Sequence, residues 1–131
     1  MLVPRPTAAL RERYFGSLEG GANTAYDDVW KVDRQNPDSE PFGAESANAV
    51  RSRTSGFVTY LESQNLKGYN ASGDTSAIVI LVSHGDALQL LQTAFRGIAA
   101  SEHRDLPHLH PAELRELLPS SSGVACLCSS P

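Results

Sequence analysis

Apolar residues recur along this chain at two different periods, and the switch between them divides it into elements. Between Asn23 and about Val32, Tyr26, Val29 and Trp30 share one helical face. Asn23 is the expected N-cap, and Asp27 and Asp28 stand at the end where the helix dipole favours negative charge. Asn36-Pro37-Asp38 ends that helix. A longer helix is predicted from about Ser46 to Gln64, with a stripe of Ala47, Val50, Thr54, Phe57, Val58 and Leu61. A Gly-, Asn- and Ser-rich connector, Asn65 to Ser76, leads to Ala77-Ile-Val-Ile-Leu-Val82. This run is apolar at successive positions and β-branched, the pattern of a strand covered on both faces. Asp86 is placed to cap a third helix through Ile98, with Leu88, Leu91, Phe95 and Ile98 on one face. Helix, strand and helix in this order predict an α/β sandwich.

Outside these elements the chain is punctuated by proline and glycine. Met1 to Gly20 reads as irregular, and Pro111 is suited to open a short helix through Leu118. The segment from Pro119 to Pro131 is mostly Ser, Gly and Cys and is expected to be a disordered tail, with an edge strand at Gly123 to Leu127 as the alternative. The expected organisation is thus one domain over residues 1–118 and a tail over 119–131. No internal repeat stands out.

Composition narrows the function more than the fold. With 131 residues and 40% hydrophobic content the chain suits one domain with one core. A net charge of −4 supplies no basic surface for a nucleic-acid backbone, so no nucleic-acid partner is expected. The longest apolar run, Ile78 to Val82, is far below the roughly 20 residues of a membrane helix, and no membrane partner is expected. Met1-Leu-Val-Pro-Arg-Pro has no apolar stretch typical of a signal peptide, which points to the cytoplasm. The two cysteines, Cys126 and Cys128, form neither a disulfide framework nor a zinc set.

The candidate chemistry lies at two places. Ser83-His84-Gly85-Asp86 follows the predicted strand and opens the predicted helix, the position in an α/β sheet where helix amides attract anions. There an imidazolium at His84 can donate a charge-assisted hydrogen bond to a phosphoryl oxygen, and Gly85 lets backbone approach closely; a turn histidine held by backbone bonds is the competing reading. In Leu10-Arg-Glu-Arg-Tyr-Phe-Gly16-Ser-Leu-Glu-Gly20, an acid between two arginines can protonate a leaving group while a guanidinium grips phosphate. Taken alone it reads equally as a solvated charged loop. His103, His108 and His110 are close in sequence but read as loop histidines rather than metal ligands. Arg51 and Arg53 read as facing water. Ser83 and His84, being neighbours, point to opposite sides and make no hydrolase dyad.

The two motifs, with Gly43-Ala44-Glu45-Ser46 between them, resemble the histidine-phosphatase (phosphoglycerate-mutase-like) family in the right order, over about Leu10 to Ile98. Gly43 to Ser46 is similar to the family's Gly-Glu-Ser helix start with one residue inserted, and Val82-Ser-His-Gly85 to its second histidine motif. The resemblance implies a three-layer α/β/α sandwich, incomplete at the amino terminus, and phosphomonoester hydrolysis or transfer through a phosphohistidine. Glu12 is then the acid, His84 the histidine that stabilises the transferring phosphoryl group, and Arg13 and Gly85 phosphate contacts. Cofactor and metal are both expected to be none, and the partner a phosphorylated small molecule or phosphate anion. The family's first motif, Arg-His-Gly with the attacking histidine, has no counterpart here, since no histidine precedes His84. The expectation is a chain catalytically incomplete on its own. An active phosphatase with a replacement nucleophile and a non-catalytic metal-binding or structural module are the alternatives.

Overall fold

The computed structural model describes residues 3–64, 78–119 and 125–127. Two long helices form its centre: α2, Ala47–Ser63, and α3, Gly85–Arg96, which pack directly on each other. Small residues at the crossing, Ala47 on α2 and Ala87 on α3, let the helices approach, and Val50, Leu90 and Ala100 complete the cluster. Ser46 caps α2, its hydroxyl accepting from the Ala49 amide at 3.1 Å. The expected stripe on α2 is the face that packs: Ala47, Val50 and Thr54 are buried, and Phe57, Val58 and Leu61 are half-buried.

Helix α1, Tyr26–Gln35, turns Val29 and Asp33 inward. It follows a 3-10 turn over Asn23–Ala25, and Ala25, not the expected Asn23, stands at its N-cap with no capping side chain. A second cluster, Phe15, Val29 and Ala44 with Leu18 and Tyr26 against it, joins α1 to the amino-terminal loop. That loop is not the solvated segment its charges suggest, because Leu10, Arg13, Phe15 and Gly16 are all buried. At Gly16, with φ at +60°, a Cβ would lie 2.1 Å from the Phe42 carbonyl oxygen. Only glycine lets the two backbones touch there.

The three-layer α/β/α sandwich is not what the chain forms. Among the described residues the sheet is a single antiparallel pair, β1 (Leu117–Pro119) with β2 (Ala125–Leu127). Residues 78–82, the strongest strand pattern in the sequence, carry no ladder; Ile78 is 93% exposed, Ile80 66% and Val82 82%. A strand needs a partner for its amides and carbonyls, and local pattern cannot supply one. Ala77 and the Asn65–Ser76 connector lie outside the described residues.

Further expectations are corrected. Asp86 does not cap α3 but sits in its first turn, and His84 holds the N-cap position with no capping side chain. The buried surface of α3 is wider than the predicted stripe, taking in Gln89, Gln92 and Thr93, each with a hydrogen-bonded side chain, while Leu88 and Phe95 are half-buried. The predicted helix from Pro111 to Leu118 is instead a turn at Pro111–Ala112 followed by β1. Of the segment expected to be a tail, Ala125–Leu127 is a strand, and the hairpin it makes lies against α3.

Candidate functional site

The amino-terminal loop reaches the site through one carboxylate. Glu12 Oε1 accepts from the Arg13 amide at 2.8 Å and from the Ala87 amide at 3.1 Å, so this loop acid is seated in the first turn of α3. The helix leaves its first amides without partners inside the helix, and an acidic side chain is stabilised there by hydrogen bonding and by the dipole. His84 and Gly85 begin the same turn. Ser83, just before them, donates its hydroxyl to the Leu10 carbonyl at 2.7 Å and ties the start of α3 to the loop a second time.

Arg13 lies deeper and is fully buried. Its guanidinium grips Asp33 of α1 at 2.6 and 2.9 Å, donates to Asp86 at 3.2 Å, and through Nε donates to the Glu45 carbonyl at 2.8 Å. Burial opposes its charge, but the hydrogen bonds it donates to Asp33 and the pull of Asp86 and Asp33 outweigh burial and hold its pKa above the ordinary value. Four of the five N–H donors are thereby spent on protein oxygens. The expected phosphate contact is thus engaged in a buried ion cluster, which also takes in His103.

His103 is completely buried, and the reading of it as a solvated loop histidine does not hold. Its Nδ1 faces the Ala100 carbonyl at 2.8 Å and its Nε2 faces Asp86 at 3.1 Å. Burial pushes the Asp86 carboxyl up, yet the bond to His103, the charges of His103 and Arg13, and the bond from Arg13 bring it below its ordinary value. An oxygen thus faces each ring nitrogen. The contacts among Asp33, Arg13, Asp86 and His103 bind α1, the loop, α3 and the 3-10 turn Ala100–Asp105 into one body.

Arg53 of α2 closes the loop from the other side. It donates to the carbonyls of Ala9, Arg11 and Glu12 at 2.8 to 3.2 Å and to both oxygens of Glu45 at 2.8 and 3.0 Å, so it does not simply face water. Burial raises the pKa of Glu45, but the hydrogen bond and charge of Arg53, with Arg11 beyond, lower it overall.

The amino-terminal loop, α1, α3 and the Ala100–Asp105 turn border an open cleft of about 790 Å³. Its lining includes Glu12, Arg13 and Asp86 together with the aromatic residues Tyr14, Phe15, Tyr26 and Trp30. His84 is exposed at the start of α3 and is not among the lining residues, so the structure brings Glu12 and Gly85 to one helix end without turning His84 into the cleft. His108 does line it. Its ring packs on Gly85, where an added Cβ would lie 3.1 Å from the ring carbon. Arg104 also lines the cleft, stacked over Trp30 with its guanidinium carbon 3.7 Å from the ring centre and bonded to Gln89. Sequence reasoning did not single out Arg104, whose neighbours in space come from α1 and α3 rather than from its own segment. Among the described residues no group of three or more His, Cys, Asp or Glu side chains is arranged to hold a metal ion.

Residues 2–129 match the family model of the histidine phosphatase superfamily, branch 1. No curated protein matches. Solved structures that superpose on the chain include a mycobacterial hydrolase, with TM-score 0.78 and 23% identity over 98% of this chain and 63% of that one. A mycobacterial glucosyl-3-phosphoglycerate phosphatase superposes with TM-score 0.76 and 23% identity over 97% of this chain and 64% of its own. The same phosphatase bound to inorganic phosphate gives TM-score 0.77 and 22% identity over 98% and 64%. The backbone thus follows the course of these proteins, and the chain spans a little under two thirds of their length. Among the described residues no helix is long and apolar enough to cross a membrane. On the match over residues 2–129, the chain belongs to the histidine phosphatase superfamily, branch 1.

Proposed function

We propose that this chain carries the proton-donor and anion-binding part of a cytoplasmic phosphomonoester site and that, on its own, it does not form a phosphohistidine. Glu12 is the acid that protonates the leaving oxygen, and the start of α3 with His84 and Gly85 receives the phosphoryl group. Arg13 acts from behind, holding the loop and α3 in register through Asp33 and Asp86. The observation that carries this reading is the seating of Glu12 on the Ala87 amide, which puts the acid at the helix end that begins with His84-Gly85. A structural neighbour that holds inorganic phosphate lends support. The chemistry needs no metal, because cationic side chains and amides neutralise the developing charge.

Attack on phosphorus requires a neutral imidazole in line with the leaving oxygen. In the family that histidine comes from the Arg-His-Gly motif, and no histidine precedes His84 in this chain. His84 reaches the phosphoryl group from its flank. General acid catalysis by Glu12 alone is worth on the order of 10² to 10⁴ in rate. The test is a steady-state assay with an aryl phosphate beside Glu12→Gln and His84→Ala variants, with trapping of acid-labile phosphate. No turnover and no label are expected, while orthophosphate binds and is weakened by His84→Ala.

A second reading, an active phosphatase with a replacement nucleophile, is favoured by one observation: His108 lines the cleft with Glu12 and packs on Gly85. In that case a nitrogen of His108 forms the bond to phosphorus as the phosphorus–oxygen bond breaks, and the proton of Glu12 passes to the leaving alcohol. Label trapped on the parent chain and lost in His108→Ala would establish this second reading over the first.

A further inference from the structure

The cleft is much larger than a phosphoryl group. Its volume of about 790 Å³ lies in the range of roughly 300–1,000 Å³ that encloses whole small molecules. Glu12 accounts for only one part of it. The lining also includes Tyr14, 55% exposed, with Tyr26 and Trp30, both half-buried. Phe15 stacks on Tyr26 with ring centres 3.8 Å apart, and Tyr26 meets Trp30 edge to face at 6.4 Å, so these rings pack as one aromatic wall.

Arg104 is the cation at this wall. It is fixed in three ways: stacked on Trp30, bonded through Nη1 to the Gln89 side-chain oxygen, and held by the Ala100–Asp105 turn. Its nearest carboxylate, Asp86, is 3.8 Å away, and each Asp86 oxygen already accepts from a closer buried partner, Arg13 or His103. Its Nε and Nη2 donate to no acceptor among the described residues. A half-exposed guanidinium that is stacked and oriented in advance, with a pair of N–H groups unspent, is suited to receive a planar carboxylate by two parallel bonds. Little ordering is lost when it does so.

We propose that Arg104 on Trp30 is a specificity-determining residue for the leaving group, and that the site takes phosphomonoesters whose alcohol part carries a flat ring and a carboxylate. The inference rests on the phosphomonoester reading above. The phosphoryl group lies at the start of α3, the ring along Tyr14, Tyr26 and Trp30, and the carboxylate on the Arg104 edge.

Calorimetric titration of the full chain with orthophosphate, phenyl phosphate and 4-carboxyphenyl phosphate tests it. Affinity should rise in that order, the carboxylate adding about tenfold, as expected of a charge-assisted pair. Arg104→Lys keeps the charge but not the fork. It should bring 4-carboxyphenyl phosphate down to the affinity of phenyl phosphate and leave orthophosphate unchanged. Equal affinity of the parent for all three ligands would overturn the inference while leaving the phosphate site standing. Failure to bind even orthophosphate would remove the phosphomonoester reading and the inference with it. If the lysine variant does not fold, the ligand series on the parent chain decides alone.

Discussion

The buried ion cluster around Arg13 and the apolar run at residues 78–82 are opposite cases of how sequence pattern relates to structure. The cluster has no local signature. Its partners are 20 residues apart in one contact and 73 in another, yet every charge in it meets an opposite one. The apolar run has the strongest local signature in the chain, yet it makes no ladder and leaves Ile78, Ile80 and Val82 exposed. Charges were satisfied at long range, and a backbone with the right side chains was not. Stability should therefore depend on the cluster far more than on the run.

The largest expected effect follows directly. Arg13→Met removes the one cation shared by Asp33 and Asp86 and leaves two buried carboxylates facing each other; it should cost about 3–5 kcal/mol in urea unfolding. A variant as stable as its parent would mean that the cluster does not anchor the fold.

The next effect is in acid. The Asp86 carboxyl titrates below its ordinary value of about 3.9 when folded, so as pH falls the unfolded chain takes up the proton first. Its stabilisation is complete above that ordinary value and is lost as pH falls through the folded one. Glu45 adds in the same direction. Unfolding midpoints measured from pH 6 downward should drop below about pH 4, and Asp86→Asn should flatten that drop. An unchanged profile in the variant would assign the acid sensitivity elsewhere.

At the apolar run the effect should appear in association rather than stability. Unpaired, uncharged, β-branched edges invite pairing between chains. Ile78→Lys with Ile80→Lys should reduce self-association in sedimentation velocity while changing stability by no more than about 0.5 kcal/mol. A loss of stability comparable to that of Arg13→Met would show that the run is buried in solution. The smallest effect is reserved for Arg34 and Asp105, a bidentate pair in which both side chains are half in water. Its Arg34→Ala variant should unfold at the parent's midpoint, in contrast to the buried pair.

What was legible in the sequence follows the same division. The helices α1, α2 and α3 were read within a few residues, because amphipathic period is a property of nearby positions, whereas the caps expected at Asn23 and Asp86 were not. The packing face of α2 was read almost residue by residue. The sheet was not, since it depends on a partner strand that no local pattern names. For the candidate site, motif singles out Glu12 and the His84-Gly85 turn, and the structure joins Glu12 to that turn through the Ala87 amide. The burial of Arg13 and His103 was missed because charged residues in an irregular loop read as solvated until their partners on other elements are known. The sequence does hold one clue in retrospect: Asp33 falls on the same helical face as Val29 and Trp30, an acid on an apolar stripe that calls for a cation.

Arg53 has a consequence of a different kind. The segment that carries Glu12 has only short 3-10 turns of its own, and its carbonyls at Ala9, Arg11 and Glu12 all end on that one guanidinium from α2. Its order is therefore borrowed from α2, a helix that lines no part of the cleft. Substitution of Arg53 should loosen the segment that carries Glu12 without replacing any residue of the cleft, and faster amide exchange over residues 9–13 would report it.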